Sequence, residues 1–498
     1  MVVRARLSAP RIERDRWPWH HAKWTALPAS LLAAGERRME AENYLSGGYG
    51  LRVALQARKS GRTPLSALAK VWQPSRLKGI QVAREFGTPF LAATQVFDQR
   101  PFPRKFLALE RIDNHAARFV APGTILVTCS GSVGRATLAH RPHEGVLISH
   151  DLLRVEARDS KYWGWLYAYL RAPQTRAMMT ASQYGHVIKH LEVGHLDALP
   201  VPVPRDDLLA EFDRAARTIL DARNRGHALR IQAESEFEKH ADVDSTESYV
   251  SDTFAVSTQA LTEGRRRFDA SFHHPRVTAI RARFARRKLK SARITDLGLD
   301  VWLPNRFRRE PAEDGVELLD SSDLFEVTPD VTKRIADGDF GDRNRGRVEP
   351  GWLLLARSGQ VYGLNGSLAL ATQALTGRVV SDHVIRIAPT TAQSVALPYL
   401  FIALSHPSLG QPLVKALAYG SSVPEIEVQD VKELPVVRLS EAAERAVAEL
   451  AQTGSSAHAD ADQMERELGN RAGALIDRFI AGDTTGFALT PAAAGTGG

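Results

Sequence analysis

One cysteine, Cys129, stands in 498 residues. A lone thiol excludes an internal disulfide framework and any metal site built from several cysteines, and it fits a reducing compartment, the cytoplasm. Long apolar runs are missing as well. No stretch approaches the ~18 residues a membrane helix needs, so no membrane partner is expected. The opening MVVRARLSAPRIERDRW is basic with no apolar run behind it, which argues against a secretory signal. An acidic surplus is also lacking: 65 Lys and Arg stand against 57 Asp and Glu, for a net charge of +8. That balance favours a polyanionic partner. What remains is ordinary for a soluble globular chain, 44% hydrophobic and 24% charged residues, with room for roughly two to four domains.

The basic residues gather in one place. Arg265 to Arg293, RRRFDASFHHPRVTAIRARFARRKLKSAR, holds eleven Lys or Arg and one acid, Asp269. Val277, Ile280 and Phe284 recur at helical spacing, which predicts a basic amphipathic helix, either a solvated surface or a face for phosphates. A second stretch, YGHVIKHLEVGHLDALP, runs from Tyr184 to Pro200. His186 and His190 are four apart, as two metal ligands on one helix face would be, and His195 follows. A zinc hydrolase of that pattern carries Glu beside the first His as general base. Here the position holds Val187.

The chain says most things twice. APGTILVTCSGSVG (Ala121 to Gly134) answers to EPGWLLLARSGQVYG (Glu349 to Gly363) at an offset of 228 residues. LISHDLLRV matches VVSDHVIRI, setting Ser149 on Ser381 and Arg154 on Arg386. YGHVIKHLEVGHLDALPV matches YGSSVPEIEVQDVKELPV at an offset of 235. Upstream, VWQPSR (Val71 to Arg76) answers to VWLPNR (Val301 to Arg306), GTPFLAATQVF to GVELLDSSDLF, and GERRMEAENY to GRRRFDASFH. This reads as one unit duplicated in tandem. The second copy has Ser421, Glu425 and Asp430 where the first has His186, His190 and His195. The histidines are therefore not kept as a set, and no metal site is expected. Divergent polar side chains on a repeated frame suit a recognition surface whose halves read different things.

Each unit begins with a mixed α/β domain. TILVTC, VLISHDLLRVEA, WLLLA and VVSDHVIRIA predict strands bounded by Gly, Pro and Ser. YWGWLYAYLRAP and LPYLFIALSHP predict buried helices closed by a proline. Cys129 ends a strand and reads as core. A long helix follows each domain. In the first, from Asp206 to His240, Leu208, Phe212, Ala215, Ile219 and Ala222 recur every three or four positions, a coiled-coil seam capped by Asp206 and Asp207. In the second, Val447 and Leu450 precede an interruption at TGSSAHAD, where Gly454 and two serines predict a kink. Met464, Leu468, Ala472, Leu475 and Phe479 resume the pattern. The tail TTGFALTPAAAGTGG is low in complexity and reads as disordered.

Taken together, the PGxIL…SGxVG turn, the S-H/D-D/H-x-x-R strand, the YG…EV…LP segment before a long helix and the order domain, helix, domain, helix resemble the specificity (S) subunits of type I restriction–modification systems. The resemblance covers nearly the whole chain. It implies an α/β fold with a target recognition domain over 1–205, a spacer helix over 206–241, a second such domain over 242–438, a second spacer helix over 439–482 and a tail over 483–498. The helices would pack as an antiparallel coiled-coil spacer through Leu208, Phe212, Ile219, Leu468, Leu475 and Phe479. Each domain would read half of a split site in double-stranded DNA. The partners implied are two methyltransferase subunits and a restriction nuclease subunit, which would carry S-adenosylmethionine and ATP with Mg; this chain would hold no cofactor and no catalytic residue. Family members often carry Pro-Pro and Glu-Gln near the helix start, where this chain has VPVPRDDLLAEF and VVRLSEAAERA. That leaves the subfamily open, an atypical methylation-based phage-defence system included.

DNA readers combine phosphate contacts with base contacts. For phosphates, the candidates are Arg76, Lys78, Arg104, Lys105 and Arg135, then Arg306, Arg308, Arg309, Arg343 and Arg345. For bases they are Ser130, Ser132, His186, Lys189 and His190, then Gln360, Tyr362, Ser421 and Ser422. SGSVG lacks the Lys-Ser/Thr of a P-loop and reads as a structural turn. Two other classes stay in view. A single-chain restriction–modification enzyme would need an Asn/Asp-Pro-Pro-Tyr/Phe motif and a cofactor-binding glycine motif, and neither occurs. A duplicated scaffold that binds only protein, such as an inhibitor of these systems, sits less well with the basic stretch.

Overall fold

The computed structural model describes residues 47–182, 189–242, 253–262, 266–338, 346–391 and 394–488, together with residues 29 and 44. Its fold is mixed α and β. Each half is built on a four-stranded antiparallel sheet. The first comprises β1 (Ala69–Trp72), β2 (Ile125–Thr128), β3 (Ala136–Leu138) and β4 (Leu152–Ala157) in the order β1-β4-β2-β3. In the second half, β5 (Leu299–Trp302), β6 (Leu353–Ala356), β7 (Leu368–Leu370) and β8 (Val384–Pro389) follow the same order, β5-β8-β6-β7. Their central strands are apolar because both faces are covered: every residue of β2 and β6 is buried. The helices Trp163–Arg171 and Leu397–Ser405 lie in the two main cores, and each stops two residues before a proline, Pro173 opening the next helix and Pro407 entering a turn.

VLISHDLLRVEA and VVSDHVIRIA are each two strands rather than one. Leu147–Ile148 and Val379–Val380 join a second sheet, of four strands in the first half and three in the second, before the chain turns into β4 or β8. The break is held by the arginine of the motif. Arg154, fully buried, donates to the carbonyls of Ile148 (3.1 Å), Ser149 (3.0 Å) and Leu152. Arg386 does the same with Val380 (2.9 Å), Ser381 (2.9 Å) and Val384. Three carbonyls that leave the ladder at the turn thus keep donors.

The first long helix spans Asp206–Ala241 and the second Glu441–Ala481. At 1.5 Å per residue they are roughly 54 and 62 Å long. They run antiparallel, since Glu211 meets Arg471, Arg223 meets Asp462 and Gly226 meets Gly454. The start of the first helix and the end of the second are buried in the core of the first domain. Their opposite ends, Phe237 and Val447 among them, belong to the core of the second. Each domain therefore sits at one end of the helix pair.

Two expectations about these helices are corrected. The second helix is continuous through TGSSAHAD. Val447, Ala451, Gly454, His458, Ala461, Glu465, Leu468, Ala472, Leu475 and Phe479 are all buried at alternating steps of four and three, so the seam passes through Gly454 without a kink. Glycine is there for close approach: a Cβ on Gly226 would lie 3.0 Å from the Gly454 carbonyl oxygen, and one on Gly454 3.1 Å from that of Gly226. In the first helix the buried residue is Leu209, with Phe212, Ala216, Ile219, Arg223 and Gly226 following. Leu208 is only half-buried, as are Ala215 and Ala222. The tail is corrected as well, up to residue 488. Phe487 packs 4.8 Å from the ring of Phe479, and Ala488 N–H donates to Val203 O at 2.8 Å, so the chain returns to the first domain. Among the described residues no helix is long and apolar enough to cross a membrane.

Candidate nucleic-acid interface

At one end of each main sheet, two loops meet. In the first half, the turn after β2 pairs with the segment that leads to the long helix: Ser130 bridges His190, Gly131 N–H donates to Lys189 O (3.3 Å), and Leu191 N–H to Cys129 O (2.9 Å). In the second half, Ser358 bridges Glu425, Gly359 N–H donates to Pro424 O (3.1 Å), and Ile426 N–H to Arg357 O (3.0 Å). The frame is the same and the side chains differ. Ser130 Oγ lies 2.8 Å from His190 Nδ1, whereas Ser358 Oγ donates to Glu425 at 2.9 Å. Gly131 and Gly359, with φ of 72° and 126°, make both turns possible.

The structure thus brings Ser130, Ser132, Lys189 and His190 to one tip, and Gln360, Tyr362, Ser421 and Ser422 to the other. Ser132, Gln360, Tyr362, Ser421 and Ser422 are exposed, and Gln360 is tied to the Ser422 carbonyl (3.0 Å). His186 lies outside the described residues, as do Arg343 and Arg345. His195 sits apart from the tip, its Nδ1 accepting from Glu192 N–H as a helix cap. Among the described residues, no three His, Cys, Asp or Glu are grouped to hold a metal.

Two residues of the second tip carry no sequence signal. The loop between β6 and β7 is longer than its counterpart and needs props. Asn365, fully buried, donates to the carbonyls of Arg357 (3.1 Å), Gly359 (3.1 Å) and Pro424 (2.8 Å). Lys415 Nζ donates to Val361 O (2.6 Å) and Gly363 O (2.8 Å), and burial beside Arg104 pushes its ammonium down to about 8. Both hold exposed Tyr362 out at the tip.

The phosphate candidates divide. Arg76, Lys78, Arg104, Lys105, Arg306 and Arg308 are exposed, with Arg308 near Glu310 (3.6 Å). Arg76 and Arg306 occupy matching places just after β1 and β5. Arg309 and Arg135 are already engaged with carboxylates: Arg309 pairs with Asp382, and Arg135 pairs with Glu326 (2.7 Å) while stacking 4.0 Å over Phe97. Within the basic stretch, the helix Pro275–Arg286 buries Val277, Ile280 and Phe284. Arg267 beside it is bound to Asp269 (2.5 Å) and Asp430 (3.2 Å). The rest of that helix keeps an arginine-rich outer face.

No family profile and no curated protein matches the chain. Among solved structures, it is similar to a type I restriction–modification system S subunit from M. genitalium, at 14% identity and a TM-score of 0.30 over 86% of this chain and 96% of that one. It is also similar to the HsdS subunit from Thermoanaerobacter tengcongensis, at 12% and 0.25 over 86% and 98%. The type IIG restriction endonuclease BpuSI is matched at 14% and 0.26 over 35% of this chain and 28% of that one. Identity is low throughout.

Proposed function

We propose that the protein is a non-catalytic DNA-recognition subunit that reads a split site in double-stranded DNA, one half with each loop tip. The observation that carries this reading is the pair of tips: equivalent loop pairings and different exposed polar side chains, one on each of two domains held at opposite ends of an antiparallel helix pair. A duplicated frame with divergent tips reads two sequences at a set distance, as paired half-sites require. Exposed Arg76, Lys78, Arg306 and Arg308 supply phosphate contacts that set the register, while Ser132, His190, Gln360, Tyr362 and Ser422 face bases. The long helices hold the halves apart and present their outer faces to two methyltransferase subunits and a nuclease subunit. S-adenosylmethionine and ATP with Mg belong to those partners, and the complex works in the cytoplasm.

Long-read mapping of methylated bases in the host genome, with and without the gene, tests this directly. A motif of two short halves around a fixed gap should vanish when the gene is deleted. Unchanged methylation, with DNA binding insensitive to salt, would favour the protein-binding scaffold instead.

A further inference from the structure

The two domains are also fastened to each other. The Asp98 segment of the first and the Glu326 segment of the second form an antiparallel bridge. Gln99 N–H donates to Phe325 O (2.7 Å), and Val327 N–H to Phe97 O (2.6 Å). The residues are matched at the repeat offset of 228: Phe97 with Phe325, Asp98 with Glu326, Gln99 with Val327. The two hydrogen bonds are therefore images of each other about a pseudo-two-fold axis. At the helix offset of 235, Arg223 and His458 are also equivalents, and both are buried at the middle of the helix pair.

On one side of this axis the seam is closed by ion pairs. Arg135 of the first domain binds Glu326 of the second, and Arg176 binds Asp330 with both terminal guanidinium nitrogens. The segments also reach the helices: Arg100 pairs with Glu234 of the first, and Thr328 N–H donates to Asp462 of the second (2.8 Å).

We infer that Arg135, Arg176, Glu326 and Asp330 form a clasp between the recognition domains that fixes how many base pairs separate the two half-sites. This rests on the DNA-recognition reading above. The argument is one of lengths. Adding one base pair moves a half-site by about 3.4 Å along the axis. A hydrogen bond of 2.6–2.7 Å is lost well before such a displacement. A helix pair by itself bends gently along its length, and each domain is anchored at one end of it, so flexing there swings the tips. The clasp ties the domains at a second point and removes that freedom. The register is then specified twice, by the helices and by the seam.

The test reverses the charges on one side. Arg135→Glu with Arg176→Glu sets two new carboxylates against Glu326, Asp330 and Asp98, and adding Glu326→Arg with Asp330→Arg restores the pairs in reversed order. Spin labels at Lys70→Cys and Glu313→Cys, both exposed positions, report the distance between domains in the full chain. Native Cys129 takes no label, being 2% exposed with its thiol pushed up to about 12 by burial. The distance distribution should be narrow in the wild type, broad in the double variant and narrow again in the fourfold one. Methylation mapping should then show a second gap, one base pair different, rising about tenfold in share with the double variant, and the wild-type gap alone with the fourfold variant. An unchanged distance distribution would overturn the clasp. A broadened distribution with a single unaltered gap would overturn its role in spacing. If the wild-type gene yields no split motif, the DNA reading and the spacing role fall together, while the label distances still decide whether the clasp exists.

Discussion

The two sides of the pseudo-two-fold axis are built from equivalent residues and end up different. On the closed side, Arg135 meets Glu326 and Arg176 meets Asp330. On the other, Ser367 stands where Arg135 would be and Phe102 where Asp330 would be, and Asp98 faces a cavity of about 160 Å³. Burial, with Glu326 beside it, raises the Asp98 carboxyl to about 7 against the opposing pull of Arg104 and Arg135. Equivalent segments thus form two seams, with ion pairs in one and space in the other. A repeat supplies geometry twice; chemistry has to be kept twice.

The largest effect should come from the axis itself. Arg223 is 3% exposed and bonds Asp462 (2.7 Å), Glu465 and Thr328 (2.8 Å). Arg223→Met strands the buried Asp462 carboxylate and removes a donor from Glu465, whose carboxyl burial pushes up to about 8, and should cost about 3–5 kcal/mol in urea unfolding at pH 7. A loss under 1 kcal/mol would mean that the centre is wetter than its burial says. Next comes the glycine crossing beside it. Gly226→Ala places a methyl 2.8 Å from the His458 ring and 3.0 Å from the Gly454 carbonyl oxygen. That crowding should outweigh the gain in helix propensity and cost about 1–3 kcal/mol. Gly50→Ala, whose Cβ meets nothing within 4 Å, is the control that should not destabilise.

The open seam gives a smaller, pH-dependent effect. The Asp98 carboxyl holds its proton up to about pH 7 in the fold but only to about pH 4 when unfolded. The folded state thus binds the extra proton between those values, so this carboxyl adds a slope, stability rising as pH falls from 8 to 5.5, against the opposite slope of the buried His140, His143 and His458, which burial keeps neutral below the usual imidazole range. Asp98→Asn should flatten that slope, and its melting temperature at pH 8 should rise by a few degrees. Ser367→Arg, which copies the closed side, should also flatten it by holding the carboxylate charged. A slope that survives both changes would place its origin elsewhere.

Much of this architecture was legible before the structure. TILVTC, WLLLA and the arginine-bearing segments read as strands and apolar spacing located both long helices, while the shared strand order of the two sheets shows only in the structure. What escaped depended on partners that sequence does not display. Leu208 and Leu209 offer two phases for one seam, both alternating steps of three and four as far as Gly226, and only the partner helix selects Leu209, Ala216 and Arg223 over Leu208, Ala215 and Ala222. Gly454 looked like a break until Gly226 stood opposite. Arg135 and Arg309 looked like phosphate contacts because charge is visible in a sequence and the acid that neutralises it is not. The buried Arg154 and Arg386 were visible as motif letters, yet their work on three carbonyls shows only at the turn. The recurrence of the same two loop segments in both halves was legible, but that they meet at each tip shows only in the structure.

The smallest effect separates exposed cations from engaged ones. Arg76 and Lys78 follow β1 as Arg306 and Arg308 follow β5, on matching exposed loops. If they bind phosphates, each change to Ala should lower the slope of log affinity against log salt by about one, equally for all sequences. Arg308 should give less than Arg306, because Glu310 at 3.6 Å already offsets part of its charge. Folding stability should shift by no more than about 0.5 kcal/mol in each case. A change in which sequence is bound, with the salt slope intact, would instead make these residues readers of bases and move the recognition surface from the paired loop tips to the loops after β1 and β5.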